Sequence, residues 1–269
     1  MFDLIAWLRV ALAGIVILIA SILLMPWQLL ALRYDWKMRR WLPRVWHRII
    51  CFCLGIRVRV HGQMETHRPL MLCANHSSWM DIMVLSSIAD VAFIAKNEVR
   101  DWPIFGTLAK LQKSVFVVRE EKRNTGNQVS EIAARMADGE IVVLFPEGTT
   151  SDGNRLLEVK SSLFGAAAMA VPASPTGTVI VQPVAVAYTG VHGLPMGRYH
   201  RPLASWPGDV EMLPHLKDML RCGAFDVDVH FGEAVSYSAE TNRKQVSATI
   251  ASRIRAMLGA ALRGRDVQP

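Results

Sequence analysis

Leu70–Asp81 reads LMLCANHSSWMD: five apolar residues, a polar step at Asn75–Ser78, and the start of a second apolar period. Ile141–Gly153 repeats the design, with IVVLF running into Pro146-Glu147-Gly148-Thr149-Thr150-Ser151-Asp152-Gly153. A short apolar run that breaks into turn-forming residues is the pattern of a strand buried on both faces and ending in a loop. Val91–Ala95, Val115–Val118 and Val179–Ala187 are runs of the same kind, and Asp226–Phe231 (DVDVHF) alternates strictly enough to predict a half-exposed strand. Between the strands, Val129, Ile132, Ala133 and Met136 recur at helical spacing and stop at Gly139. Val246, Ile250, Ile254, Met257, Leu258 and Ala261 make a second such face. Strands alternating with helices predict an α/β fold with a mixed, largely parallel central sheet flanked by helices. Pro172–Gly177 and Gly190–Gly208 are too rich in Gly and Pro for regular elements.

Ahead of this body, Val10–Leu32 runs 23 residues without a charge, and about 20 apolar residues cross a bilayer core. Pro26 and Gln28 shorten its densest part to Ala11–Met25. Arg33–Arg48 comes next, basic and carrying Trp36, Trp41 and Trp46 at five-residue steps. Trp prefers the headgroup layer and Lys/Arg the cytoplasmic leaflet. The reading is an N-terminal membrane-anchoring helical segment, spanning or re-entrant, over residues 1–60, and a body over 61–269 on the cytoplasmic side. A signal peptide competes for the first stretch, and a solvated amphipathic helix for the second. Residues 1–60 hold nine Lys/Arg and two acids, so the net charge of +7 lies there, and 61–269 balances 21 of each sign. A nucleic-acid binder spreads its basic residues over a folded face, so that class drops out. Cys51, Cys53, Cys73 and Cys222 suit reduced packing residues, and Cys51-x-Cys53 has no second pair with which to hold zinc.

Two clusters can carry chemistry. Ser77 or Ser78 can cap a helix, which puts His76 at the mouth between strand and helix, with Asp81 near the first helical turn. A His there can act as a general base if a carboxylate fixes its tautomer; a structural His beside a first-turn acid is the plainer reading. The second cluster, Glu147–Gly153, is a polar, glycine-bearing loop at a buried strand end, where open α/β sheets place ligands. Its N–H groups can cradle an anion or oxyanion, and Glu147 supplies a positioned acceptor. No G-x-S-x-G elbow for a serine hydrolase occurs. The other histidines lack a carboxylate at a telling spacing.

Taken together, Asn75-His76-x4-Asp81 and Phe145-Pro146-Glu147-Gly148-Thr149 resemble the glycerolipid acyltransferases typified by 1-acylglycerol-3-phosphate acyltransferase. Lys96 and Glu98, Pro103 and Gly106, Arg119, and Val181-Gln182-Pro183-Val184 fit the same family in order, so the likeness runs from about Pro69 to Val235. It implies transfer of a fatty acyl group from a thioester, of coenzyme A or acyl carrier protein, to a lysolipid hydroxyl, with no bound cofactor and no metal. His76 would deprotonate the hydroxyl and Asp81 orient it. Glu147, Gly148 and Thr149 would form the acceptor site, and Lys96 and Arg119 would contact anionic parts of donor or acceptor.

Where the family usually carries Arg after Glu-Gly-Thr, this chain has Thr150. A neutral hydroxyl cannot make the bidentate contact of Arg with phosphate, so the expected acceptor is not a bare phosphomonoester. Thr149-Thr150-Ser151-Asp152-Gly153-Asn154, Trp206-Pro207-Gly208-Asp209 and Pro214-His215 resemble the bacterial branch that acylates lyso-ornithine lipid, and Asp152 or Asp209 could pair with the ornithine ammonium. Lysophosphatidic acid is the alternative acceptor. An interfacial lipid hydrolase and a non-catalytic membrane-binding module are the more distant alternatives.

Overall fold

The computed structural model describes residues 2–117, 125–208 and 210–264. Its strands are β1 (Arg57–His61), β2 (Leu70–Ala74), β3 (Val91–Lys96), β4 (Val115–Val117), β5 (Ile141–Leu144), β6 (Thr178–Val191), β7 (Leu194–Pro195), β8 (Phe225–Phe231) and β9 (Val235–Ser238). They form one sheet in the order β1-β8-β6-β2-β5-β3-β4, with β7 and β9 added to β6. β2 runs parallel to β5 and β6, β3 to β4 and β5, and β1 to β8, whereas β7, β8 and β9 meet β6 antiparallel. This is the mixed, largely parallel sheet read from the apolar runs. The helices are α1 (Phe2–Arg33), α2 (Met38–Cys53), α3 (Met80–Ile88), α4 (Phe105–Leu111), α5 (Thr125–Ala137), α6 (Gly165–Ala170), α7 (Met212–Cys222) and α8 (Arg243–Ala261).

The pleat sends alternate residues of each strand into two cores. Leu70, Leu72 and Ala74 of β2 pack with Ile50, Met80, Val84 and Met219 from α2, α3 and α7. Met71 and Cys73 pack on the other face with Ile132, Ala167 and Ile254 from α5, α6 and α8. Both faces of β2 are covered, so its sequence is an unbroken apolar run rather than an alternation. β6 carries Pro183 in its middle without harm. Its ladder passes from β9, paired through Val181, to β8, paired from Val184, and Pro183 sits at the change of partner. Gln182 staples that gap: its Nε2 donates to Gln63 O (2.9 Å) and Gly232 O (3.0 Å), and its Oε1 accepts from Glu65 N (2.9 Å).

Two local expectations need correction. β8 is buried along almost its whole length, not half-exposed. Its alternate polar residues find partners in neighbouring strands: Asp228 accepts from Arg59 Nε (2.7 Å) and Thr189 Oγ1 (2.5 Å) and meets His61 Nε2 (3.0 Å). The stretch after Gly190 is more regular than its composition suggests, because β6 continues to Val191 and turns back through β7.

Among the described residues, α1 is the one helix long and apolar enough to cross a membrane. It lies along the body. Near one end, Arg9 donates to the last carbonyls of α7, on Leu220 (2.5 Å), Arg221 (3.2 Å) and Cys222 (3.3 Å). Near the other, Gln28 Nε2 donates to Leu111 O (2.7 Å) beside α4 and to Arg39 O (3.1 Å). Those two anchors are separated by about 28 Å of helix. Between them Ala13 and Ala20 are buried, Ile17 packs on the core, and Ser21 Oγ accepts from Trp46 Nε1 (2.9 Å). The outward face exposes Leu4, Leu8, Leu12, Ile15, Ile19, Ile22 and Leu23.

Candidate active site

β2 ends at Ala74, and Asn75 fixes the direction in which the chain leaves it. Its side-chain amide bonds both backbone groups of Val186, donating to O (2.9 Å) and accepting from N (2.7 Å), which ties the strand end to β6. The chain then turns through His76, Ser77 and Ser78 into α3. The N-cap position, Trp79, makes no side-chain cap, but Ser78 Oγ accepts from Met80 N (3.3 Å), the first N–H of the helix. Asp81 reaches back from the first turn to the residues ahead of it: its Oδ2 accepts from Ser77 N (2.8 Å), Ser78 N (2.9 Å) and His76 Nδ1 (2.8 Å). Its Oδ1 accepts from the Tyr188 hydroxyl of β6 (2.7 Å). Four donors thus satisfy a carboxylate that is fully buried. Burial and the Asp81 charge both push the Tyr188 phenol well above its usual range, which keeps it a donor.

Because Asp81 accepts from Nδ1, the proton assigned by this network sits there and Nε2 is the acceptor nitrogen. The imidazole stacks on Phe145 (centroids 4.0 Å apart, 15° between planes), with Phe93 stacked behind at 6.0 Å. The His76 side chain keeps 19% of its surface exposed. Among the described residues Nε2 has no hydrogen-bond partner, so it is presented to whatever enters.

Both carboxylate oxygens of Glu147, expected to help form the acceptor site, are engaged by the backbone. Its carboxylate turns inward, 1% exposed, with Oε1 accepting from His76 N (2.6 Å) and Oε2 from Leu157 N (2.6 Å). Burial pushes its carboxyl up to about 7; the two N–H bonds pull against that, and the Asp81 charge adds to it. Glu147 therefore clasps the loop onto the backbone of His76 itself. Gly148 supplies the turn, with φ of 73°. Further along, Ser151 N donates to His76 O (2.8 Å) and Trp206 N to Ser77 O (2.7 Å), so two loops lean on the same dipeptide.

Thr149 is exposed, but Thr150 is only 8% exposed. Gly208 passes so close that a Cβ there would lie 2.8 Å from Thr149 Oγ1. Asp152 is held by Asn154 N (3.0 Å) and Nδ2 (3.1 Å). The side chain of Lys96, at the end of β3, together with Arg119 and Asp209, lies outside the described residues. No group of three His, Cys, Asp or Glu suited to a metal occurs among the described residues. Cys51 and Cys73 are buried free thiols, the former pushed up to about 11 by burial. One contributor escapes a reading of motifs: Tyr188 stands out in VIVQPVAVAY only as an aromatic in an aliphatic strand. His215 of the Pro214-His215 mark accepts at Nδ1 from Trp79 Nε1 (3.3 Å).

A His–Asp pair thus sits at one strand mouth of an α/β sheet, with a glycine-turned loop clasped onto the histidine's backbone. The chain belongs to the acyltransferase family, which it matches over residues 57–187. Over 97% of its length it is 65% identical to the lyso-ornithine lipid O-acyltransferase of Rhizobium meliloti (strain 1021), covering 89% of that protein. It is 51% identical to the lyso-ornithine lipid O-acyltransferase of Brucella abortus (strain 2308), over 97% of both chains. A 120-residue portion, 42% of this chain and 47% of the relative, is 35% identical to the 1-acyl-sn-glycerol-3-phosphate acyltransferase of Neisseria meningitidis serogroup B. The crystal structure of the 1-acyl-sn-glycerophosphate (LPA) acyltransferase from Thermotoga maritima shares the fold, with a TM-score of 0.67 over 99% of this chain and 98% of that one, at 21% identity.

Proposed function

We propose that this acyltransferase moves a fatty acyl group from a thioester to the free hydroxyl of lyso-ornithine lipid. The observation that carries the reading is His76, with Nδ1 held by Asp81 and Nε2 turned outward. Nε2 takes the proton of the acceptor hydroxyl as its oxygen attacks the thioester carbonyl carbon. The tetrahedral oxyanion then collapses, the carbon–sulfur bond breaks, and the thiolate leaves with the proton returned by His76. A thioester is already activated, so base and oxyanion donors suffice. The N–H groups of His76, Ser77 and Ser78 are engaged by Glu147 and Asp81, which leaves those of Thr149 and Thr150 as the loop's candidates for the oxyanion.

Glu147 and Asp81 act here as positioning residues. Identity of 65% to one lyso-ornithine lipid O-acyltransferase supports the acceptor, as does Thr150 in place of a phosphate-binding Arg. The donor is acyl carrier protein or coenzyme A. α1 supports a seat on the membrane lying flat in one leaflet, because both its ends dock on the body while its outer face is apolar. The body then lies on the cytoplasmic side of the inner membrane, where basic α2 meets anionic lipid.

The test is an acyl-transfer assay on membranes carrying the protein or its His76→Ala form, with lyso-ornithine lipid and lysophosphatidic acid offered separately. Acylation of lyso-ornithine lipid alone, abolished by the substitution, is the expected result. Equal use of both acceptors makes it a broader lysolipid enzyme, as the Neisseria match allows. Free fatty acid released without any acceptor would instead mark a hydrolase.

A further inference from the structure

The sheet separates two environments at the active-site end. His76 lies over Phe145 and Phe93 in the core shared with α2, α3 and α7, and α1 covers that side. The loop beyond Glu147 crosses to the other side, where Leu156 joins the core under α5, α6 and α8. At the crossing, the Asp152 carboxylate feels Arg155, Arg198 and Arg201. Arg201 is buried and committed, donating to Asn154 Oδ1, Met196 O (3.4 Å) and, at the end of α8, Leu262 O (3.5 Å). Arg155 and Arg198 are exposed, and among the described residues neither makes a hydrogen bond or a close ion pair. Asp152, already bonded by Asn154, cannot neutralise three guanidiniums. The excess is local, because residues 61–269 as a whole carry no net charge.

We propose that Arg155 and Arg198 form the docking site for the phosphate of the acyl donor, the group shared by coenzyme A and a phosphopantetheinylated carrier protein. The inference rests on the acyl-transfer reading. With the apolar face of α1 on one side of the site as the lipid's approach, the water-soluble donor is assigned to the side α1 does not cover, where Arg155 and Arg198 flank the Asn154–Arg201 contact. Ser151 bonds the His76 carbonyl, and four residues of chain reach at most about 14 Å from it to Arg155. That lies within the span of an extended pantetheine arm. Guanidinium is the side chain best shaped for a phosphate, which it can grip with two parallel N–H bonds.

The experiment compares the full chain in nanodiscs with its Arg155→Gln/Arg198→Gln form, using acyl-coenzyme A, acyl-acyl carrier protein, and an acyl N-acetylcysteamine thioester that has no phosphate. The KM for a phosphate-bearing donor rises about tenfold, with kcat and the acceptor KM within about twofold. The phosphate-free thioester is unaffected, and Arg155→Lys/Arg198→Lys recovers part of the loss. A rise confined to one of the two natural donors identifies that donor as the source of the phosphate. An unchanged KM for both, or an equal loss with the phosphate-free thioester, overturns the site. Failure of the acyl-transfer reading looks different, since the wild type would then be inactive with every thioester.

Discussion

At the scale of the residue, Asp81 is the hub: three donors meet one of its oxygens and one meets the other. Asp81→Asn keeps the shape but replaces one acceptor with an NH2 group that faces donors, so the imidazole loses its tautomer lock. We expect kcat to fall by about 10²- to 10⁴-fold with little change in either KM. Tyr188→Phe removes only the hydroxyl, so kcat falls less than about tenfold and stability drops by about 1 kcal/mol, since a single hydrogen bond is worth about that much. Equal kinetic losses in the two variants would show that Asp81 acts through burial and not through His76. Glu147 carries a pH signature. Its folded pKa of about 7 stands above the ordinary 4.5, so between those values the native state keeps a proton that the unfolded chain releases. Its contribution to stability therefore falls as pH rises from about 4.5 to about 7 and levels off above. Urea unfolding of wild type against Glu147→Gln from pH 5 to 8 should show the wild-type advantage shrinking with pH. A growing advantage would mean that the two N–H bonds outweigh burial.

At the scale of the element, the candidate active site hangs on loop conformations that only particular glycines allow. Gly153 has φ of 73°, and a Cβ on it would sit 2.2 Å from Ser205 Oγ; Gly139 has φ of 78° with nothing within 4 Å. Gly153→Ala and Gly139→Ala therefore share the backbone penalty, about 1–2 kcal/mol, and differ in the clash. Thermal melts should place Gly153→Ala clearly below Gly139→Ala, and acyl transfer should suffer only in the former, whose loop leans on His76 through Ser151. The buried strands and the His76–Asp81 and Glu147–Gly153 clusters were legible in the sequence, because an apolar run breaking into polar residues is a local signal. What escaped it was set by contacts across the fold. β8 alternates like a surface strand, yet its Asp228 is buried against Arg59 of β1 and Thr189 of β6. Asp81 reaches back to the N–H groups of Ser77 and Ser78 as well as to His76, and the inward turn of Glu147 is set by the Leu157 N–H, which no spacing reveals.

At the scale of the whole molecule, the sequence shows an apolar stretch and a basic stretch but not how they lie. The exposed surface of α1 carries fifteen large apolar side chains, from Leu4 to Leu30. Each is worth about 1.5–3 kcal/mol when buried in lipid, against about 1 kcal/mol per basic residue near an anionic leaflet. Several of those basic residues, Arg39, Arg40 and Arg44 among them, are already paired with Asp138, Asp90 or Glu140. The apolar contribution dominates, so washing membranes with 1 M salt, where screening acts over about 3 Å, should leave the protein in the pellet. Orientation is the sharper question. A helix standing across the bilayer would carry Arg9 to the far side, away from the α7 carbonyls it bonds. A helix lying in one leaflet keeps Arg9, Gln28 and the body on one face. An epitope tag placed ahead of Met1 should therefore be digested by protease added to sealed inside-out vesicles, together with a tag at the other end of the chain. Protection of the first tag while the second is cleaved would require α1 to cross, and the contacts of Arg9 with Leu220–Cys222 could not then exist in the membrane.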